Sequence, residues 1–128
     1  MILTELSLKV MRAKNKLGRT GEEIAVRYLR DHGYRIIGRN WRCRFGELDI
    51  IARDNDTLVF VEVKARTKGG FGGPEGAVTQ QKQARLIATA RCYLLTVESE
   101  LPVRFDVVTI LPDRVTLYQD AFQVSDVF

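Results

Sequence analysis

The chain has 128 residues, of which 45% are hydrophobic and 28% are charged, a composition typical of one folded domain rather than of a disordered segment. No apolar stretch is long enough to span a membrane, and Met1 to Gly18 lacks the apolar core of a secretory signal, so we expect a cytoplasmic protein with no membrane partner. The net charge of +4 favours an anionic partner such as nucleic acid, without establishing one.

Cysteine and histidine are scarce, which limits the chemistry available to the chain. Cys43 and Cys92 are far apart and do not have metal-ligand spacing, and His32 is the only histidine. This composition therefore argues against zinc clusters and histidine triads, and we expect each cysteine to be a buried, reduced thiol.

The N-terminal segment, residues 1–17, is predicted to be a basic arm, and residues 18–128 a single domain. The arm has a weak helical pattern with one basic face, which could contact phosphate or could be a solvated terminus. Within the domain, Thr20 and Glu23 form a capping box that predicts the start of the first helix. Glu22 would then lie in the first turn, where the helix macrodipole favours an acid.

Three strands are predicted next. The first, residues 34–40, leads into a basic and aromatic turn, Trp41 to Gly46, which could stack a base or hold a phosphate. Trp41 could equally anchor the core. The other two strands, residues 47–53 and 57–64, are joined by turn residues that predict a hairpin.

The second half of the chain adds one helix and two strands. A glycine-rich loop, residues 67–76, has no triphosphate-binding spacing and is interpreted as a flexible flap. Thr79 is predicted to cap a helix over residues 78–97, and strands follow at residues 103–110 and 114–118. The element order indicates an α/β fold in which helices flank both faces of a mixed central β-sheet.

The strongest chemical signal lies in the predicted hairpin. Alternation along an extended strand directs Glu62 and Lys64 to the same face, at the end of an apolar run, and pairing with the preceding strand would bring Asp49 beside them. Asp49, Glu62 and the carbonyl oxygen of Val63 are oxygen ligands of the kind that Mg²⁺ prefers. Lys64 could orient or activate a water molecule and offset charge on a phosphoryl group.

A structural interpretation of the same residues is a simple salt bridge between Glu62 and Lys64 on an exposed strand face. The apolar context argues against it, because Val59 to Val63 has the pattern of a central strand buried on both sides. Ions are costly to bury there without a metal ion or close partners.

These residues also carry a resemblance. Asp49 and, thirteen positions later, Glu62-Val63-Lys64 resemble the D…ExK signature of the restriction-endonuclease-like superfamily of PD-(D/E)xK nucleases, with Leu48 in place of the proline. Over residues 18–122 the chain resembles the YraN-type bacterial family more closely. The segments that carry this likeness include Gly21-Glu22, Gly46-Glu47-Leu48-Asp49, Phe60 to Arg66 and Arg104-Phe105-Asp106.

The resemblance implies a function, because the YraN-type family is similar to archaeal Holliday-junction resolvases. It implies a restriction-endonuclease-like fold, DNA as the partner, and Mg²⁺ as the cofactor with Mn²⁺ as a substitute. The catalytic set it implies is Glu22, Asp49, Glu62 and Lys64. A resolvase cuts two strands symmetrically, which calls for a homodimer. Glu47 could be a supporting acid or a solvent-facing neighbour.

Basic and polar side chains near the same edge are predicted to contact nucleic acid, although each could be an ordinary surface residue. They are Arg39, Arg44, Arg66, Lys68, Gln81 and Lys82. Three functions follow in order of preference: a Mg²⁺-dependent endonuclease acting on DNA, including branched or Holliday-junction-like DNA; a catalytically weak nucleic-acid-binding module of a repair, recombination or uptake complex; and a protein-interaction scaffold.

Overall fold

The computed structural model describes residues 17–124, in which a five-stranded sheet separates two main helices. The elements in chain order are α1 (Leu17–Asp31), β1 (Arg35–Cys43), β2 (Gly46–Asp54), β3 (Thr57–Ala65), α2 (Pro74–Ala77), α3 (Gln80–Leu94), β4 (Val103–Leu111) and β5 (Arg114–Phe122). The strands lie in the order β1-β2-β3-β4-β5. Neighbours are antiparallel except β3 and β4, which are parallel. The predicted α/β fold with a mixed central sheet is confirmed.

The two faces of the sheet bury separate apolar clusters. Along β3, Val59 and Val61 pack with residues of α1, whereas Phe60 packs on the opposite face with Ile87 of α3. This alternation follows from the strand geometry and makes β3 a central strand covered on both sides. The parallel pairing of β3 with β4 requires a crossover, which α2 and α3 provide.

The first helix and the first strand both extend beyond their predicted ends. Helix α1 begins at Leu17, so Thr20 lies inside it rather than capping it, and Glu22 lies beyond the first turn. A capping box marks where a helix can start, and neither Gly18 nor Arg19 prevents the helix from extending toward the N-terminus. Strand β1 extends into the predicted turn and ends at Cys43, because its residues pair with β2 up to the pair formed by Cys43 and Gly46.

The later elements differ from prediction mainly at their ends. Helix α3 has Thr79 as its N-cap, as predicted, but ends at Leu94. Strand β5 continues to Phe122, and a short helix, α2, lies at the end of the glycine-rich segment.

The predicted basic arm lies, apart from Leu17, outside the described residues. No helix within residues 17–124 is long and apolar enough to cross a membrane.

A buried ionic network ties β4 to the hairpin end of β2. Asp106 is fully buried and accepts hydrogen bonds from the Tyr34 hydroxyl at 2.6 Å and from Arg104 Nε at 2.9 Å. Arg104 Nη2 also donates to Asp54 Oδ2 at 2.8 Å. Burial, with the hydrogen bond to Asp106, raises the pKa of Tyr34 to about 12, so the hydroxyl remains a donor at neutral pH.

Candidate functional site

The pairing of β2 with β3 brings Asp49 beside Glu62. Ile50 pairs with Val61, and the antiparallel register therefore places Asp49 next to Glu62 at the following position. The backbone N–H of Val63 donates to Asp49 Oδ2 at 2.9 Å, which fixes the carboxylate across the two strands. Glu62 is only 6% exposed, so its charge needs compensation from neighbouring groups.

Three carboxylates converge at this end of the sheet. Glu22 comes from α1, Glu47 and Asp49 come from β2, and one oxygen from each lies within 4.8 Å of the others. Glu22 Oε1 is buried and has no hydrogen-bond partner among the described residues. Glu47 is also paired with Arg42. Carboxylate oxygens at such separations repel one another unless a proton or a cation lies among them.

The proton affinities of these acids reflect that crowding. Burial, together with the hydrogen bond and charge of Glu62, raises the pKa of Asp49 to about 8, and the Val63 N–H opposes part of the rise. Burial and the charge of Glu47 raise the pKa of Glu22, against an opposing hydrogen bond from Asn40. Near neutral pH Asp49 therefore retains a proton that a divalent cation would displace.

Two lysines surround the carboxylate of Glu62. Lys82 Nζ, from the first turn of α3, lies 2.6 Å from Glu62 Oε2, and Lys64 Nζ lies 3.7 Å from the same oxygen. Burial and the neighbouring Lys82 lower the pKa of Lys64. For Lys82 burial acts in the same direction, but hydrogen bonds with Glu62 and Lys64 outweigh it and raise the pKa. Lys82 is thus the more firmly charged of the two.

An open cleft of about 330 Å³ lies against these side chains. Its lining includes Glu47, Asp49 and Glu62, together with residues of α3 and of the turn between β1 and β2. Glu47, Asp49, Glu62 and Lys82 therefore line a cleft that is open to solvent, whereas Asp106 is fully buried.

Comparison with known proteins assigns the family. The profile of the Uncharacterised protein family UPF0102 matches residues 21–110. This chain belongs to the UPF0102 family. Among its relatives, the UPF0102 protein of Lachnoclostridium phytofermentans is 50% identical over 107 residues, covering 82% of this chain and 91% of the relative. That of Nocardia farcinica is 52% identical over 101 residues, covering 77% and 78% of the two chains.

The UPF0102 assignment confirms the YraN-type resemblance drawn from the sequence, and the five-stranded sheet with its flanking helices is consistent with a restriction-endonuclease-like domain. The matched region contains most of α1, the hairpin of β2 and β3, and α3, which are the elements that supply the acids and lysines of the candidate site. The family assignment therefore includes the whole candidate site.

The structure places the predicted catalytic residues together but distributes the predicted nucleic-acid contacts more widely. Glu22, Asp49, Glu62 and Lys64 all lie at the acidic end of the sheet. Lys82, predicted to contact nucleic acid, is paired directly with Glu62. The remaining five, which are all exposed, are Arg39, Arg44, Arg66, Lys68 and Gln81. Of these, Arg66 donates to the carbonyl oxygen of Gly70 and lies over the Phe71 ring.

Three observations on this UPF0102 protein add to the sequence predictions or correct them. Glu47, left open between two interpretations, is a member of the carboxylate cluster; its position two residues before Asp49 on one strand was the signal. Arg85, which no motif singled out, lines the cleft, and so does Phe45, which was predicted only as part of the basic and aromatic turn. Cys43 and Cys92 are free thiols, but both are partly exposed rather than buried.

Proposed function

We propose that this UPF0102 protein is a divalent-metal-dependent endonuclease that hydrolyses phosphodiester bonds in DNA. The observation that carries the proposal is the convergence of Glu22, Glu47 and Asp49 within 4.8 Å, beside a buried Glu62 paired with Lys64 and Lys82. Acids brought together from a helix and a strand, with ammonium groups next to them, match the needs of phosphoryl transfer: oxygen ligands for a metal ion and positive charge for the phosphate.

The donor set fits Mg²⁺, with Mn²⁺ as a substitute, because every ligand is a hard carboxylate oxygen. Glu22, Glu47 and Asp49 would hold the ion, and the unpartnered Oε1 of Glu22 is free to become a ligand. Glu62 and the carbonyl oxygen of Val63 stay predicted as further ligands, with one oxygen of Glu62 paired to Lys82. When bound, the ion supplies Lewis-acid stabilisation of the phosphate and lowers the pKa of a coordinated water molecule.

The protein side chains supply the remaining functions of hydrolysis. A water oxygen attacks phosphorus, the bond to the leaving sugar oxygen breaks, and the water loses a proton as the leaving oxygen gains one. Lys64, close to Glu62 and with a lowered pKa, orients the water and offsets charge on the phosphoryl oxygens. Glu62 fixes both lysines in place through its buried carboxylate.

A polyanionic substrate is supported by the charge of the chain. The net charge is +4, and exposed basic side chains in β1 and in the segment after β3 could contact phosphates on either side of the cleft. Branched or Holliday-junction-like DNA is the substrate that the family resemblance favours, and a homodimer would cut its two strands symmetrically.

The test is a cleavage assay on single-stranded, duplex, flapped and four-way-junction DNA with Mg²⁺ or Mn²⁺. We expect the wild type to cut at least one substrate, and we expect Glu62→Ala or Lys64→Ala to lower the rate about 100-fold or more while circular dichroism stays native. Glu98→Ala is the matched control, because Glu98 is an exposed acid beyond the end of α3.

The outcomes separate the three candidate functions. Activity that persists in both variants would remove Glu62 and Lys64 from the mechanism. A wild-type protein that binds DNA but cuts none of the substrates would support the binding-module function. Failure both to bind and to cut would support the scaffold.

A further inference from the structure

The turn between β1 and β2 presents an aromatic ring to the cleft. Cys43 pairs with Gly46, so Arg44 and Phe45 form a two-residue turn at the tip of the hairpin. Phe45 is 44% exposed, and it is the only aromatic side chain among the large hydrophobic residues that are exposed within residues 17–124. It also lines the same cleft as Asp49 and Glu62. An aromatic ring in a groove that also carries positive charge is the kind of surface on which an unpaired base stacks.

The basic and aromatic turn was interpreted from the sequence as a place where a base could stack, and the structure separates its two aromatic residues. Trp41 packs edge-on against Tyr93, with ring centroids 5.3 Å apart, and belongs to the cluster on the α3 face. Its role in the core leaves Phe45 as the ring available for stacking.

The turn is held firmly enough to position that ring. The backbone N–H of Phe45 donates to Cys43 Sγ at 3.4 Å. Gly46 has φ of +152°, and a Cβ atom at this position would lie 3.1 Å from Thr89 Oγ1, so the turn lies directly against α3. The Arg44 guanidinium lies 4.8 Å from the centroid of the Phe45 ring and adds a cation–π contact.

The size and chemistry of the cleft fit a single nucleotide. A volume of about 330 Å³ is at the low end of small-ligand pockets, which range over roughly 300–1,000 Å³, and is too small for a duplex. Phe45 and Leu86 provide apolar surface, and Lys82 and Arg85 provide positive charge. This combination suits a flat base and a phosphate at the two ends of one nucleotide.

We infer that the cleft binds one unpaired nucleotide of DNA, with its base stacked on Phe45 and its phosphate near Lys82 and Arg85, beside the carboxylate cluster. The inference rests on the proposed nuclease function, and it specifies the substrate as DNA with an unpaired nucleotide at the scissile phosphate. A base paired inside a duplex is stacked between its neighbours and does not reach Phe45, so fully paired DNA binds more weakly.

The experiment uses two duplexes that differ only in whether a 2-aminopurine is paired or forms a single-nucleotide bulge. Binding is measured with Ca²⁺ and cleavage with Mg²⁺. We expect the wild type to bind the bulged duplex about tenfold more tightly and to quench its 2-aminopurine fluorescence, as stacking requires. Phe45→Leu should lose both the quenching and the preference, whereas Phe45→Tyr should keep them. Ile37→Ala is the matched control and should behave as the wild type, because Ile37 is an exposed hydrophobic residue that lies in β1, outside the cleft lining.

The results distinguish this inference from the nuclease proposal. If the wild type cuts DNA but Phe45→Leu keeps the preference for the bulged duplex, the inference is overturned and the nuclease function stands. If the wild type cuts nothing but shows quenching that depends on Phe45, the nucleotide site stands and the hydrolytic function fails. Absence of quenching in the wild type overturns the inference whether or not cleavage occurs.

Discussion

Lys82 Nζ lies 2.6 Å from Glu62 Oε2, whereas Lys64 Nζ, two residues from Glu62 on the same strand, lies 3.7 Å from that oxygen. The lysine that completes the ExK pattern is therefore not the one that contacts the glutamate most closely. Because Glu62 is only 6% exposed, the nearer ammonium contributes most to balancing its charge.

The first prediction compares the loss of each lysine. In chelator at pH 7 and low salt, Lys82→Met should lower the free energy of unfolding by about 2 kcal/mol, since it leaves a buried carboxylate with only the more distant lysine. Lys64→Met should cost about 1 kcal/mol or less. Urea denaturation measures both. Lys68→Met, which removes an exposed lysine, is the control, and a larger loss in Lys64→Met than in Lys82→Met would contradict the assignment.

The second prediction concerns pH and Asp49. Its pKa is raised to about 8, above an ordinary value of 3.8, so between these values the folded protein binds more protons than the unfolded chain. Stability is therefore lost as the pH rises from about 4 to about 8. Asp49→Asn removes this pH-dependent loss of stability, and the amide oxygen of the new asparagine can still accept the hydrogen bond from the Val63 N–H. With metal removed, the variant should be about 2 kcal/mol more stable than the wild type at pH 8 and equal to it near pH 4.

Metal ions provide the control for the Asp49 prediction. Mg²⁺ should stabilise the wild type at pH 8 by displacing the proton, and it should stabilise Asp49→Asn much less, because a carboxylate ligand is lost. Thermal unfolding with and without Mg²⁺ measures the difference. If Asp49→Asn is less stable than the wild type in chelator at pH 8, the ionised Asp49 carboxylate does not destabilise the folded protein and the prediction is wrong.

The third prediction concerns the buried network at the other end of β2. Asp106 accepts hydrogen bonds from Tyr34, Arg104 and the backbone N–H of Asp120, and an asparagine cannot accept all of them. Asp106→Asn should lower the free energy of unfolding by about 3 kcal/mol, because Arg104 then loses the buried carboxylate that accepts from both its Nε and its Nη2. Asp56→Asn should change it by less than about 0.5 kcal/mol, since the Asp56 side chain is 95% exposed. Similar losses in the two variants would contradict a structural role for the network.

The hairpin of β2 and β3 and the helix α3 were predictable because local patterns and tertiary packing agree there. Alternating apolar residues around Val61 and the turn before Thr57 indicate paired strands, and Thr79 caps α3 in the structure. Strand β1 was less predictable. Trp41 and Cys43 follow glycine and asparagine, which are typical of turns, but pairing with β2 keeps them extended. That pairing is a tertiary effect that local residue propensities do not predict.

The candidate site was predictable where its residues lie on one hairpin. Asp49 and Glu62 follow from strand pairing, which the apolar pattern indicates. Contributions from the helices depend on how those helices pack on the sheet. Glu22 could be proposed only through family resemblance, and the contact of Lys82 with Glu62 arises because the first turn of α3 lies over the end of β3. Neither the approach of Glu22 to the site nor the contact of Lys82 with Glu62 is encoded in a local sequence pattern.

The fourth prediction tests whether Gly46 is required at the tip of the hairpin. Its φ of +152° is strained for a residue with a Cβ atom, and that atom would lie 3.1 Å from Thr89 Oγ1. Gly46→Ala should therefore lower the free energy of unfolding by about 1–2 kcal/mol and move Phe45 away from α3. Gly38→Ala is the matched control, because Gly38 lies in the same hairpin without a positive φ and its nearest contact would be 3.9 Å away. Urea denaturation of both variants, with the 2-aminopurine quenching described above, should show a loss for Gly46→Ala that Gly38→Ala lacks; equal losses would mean that the turn is not held by its contact with α3.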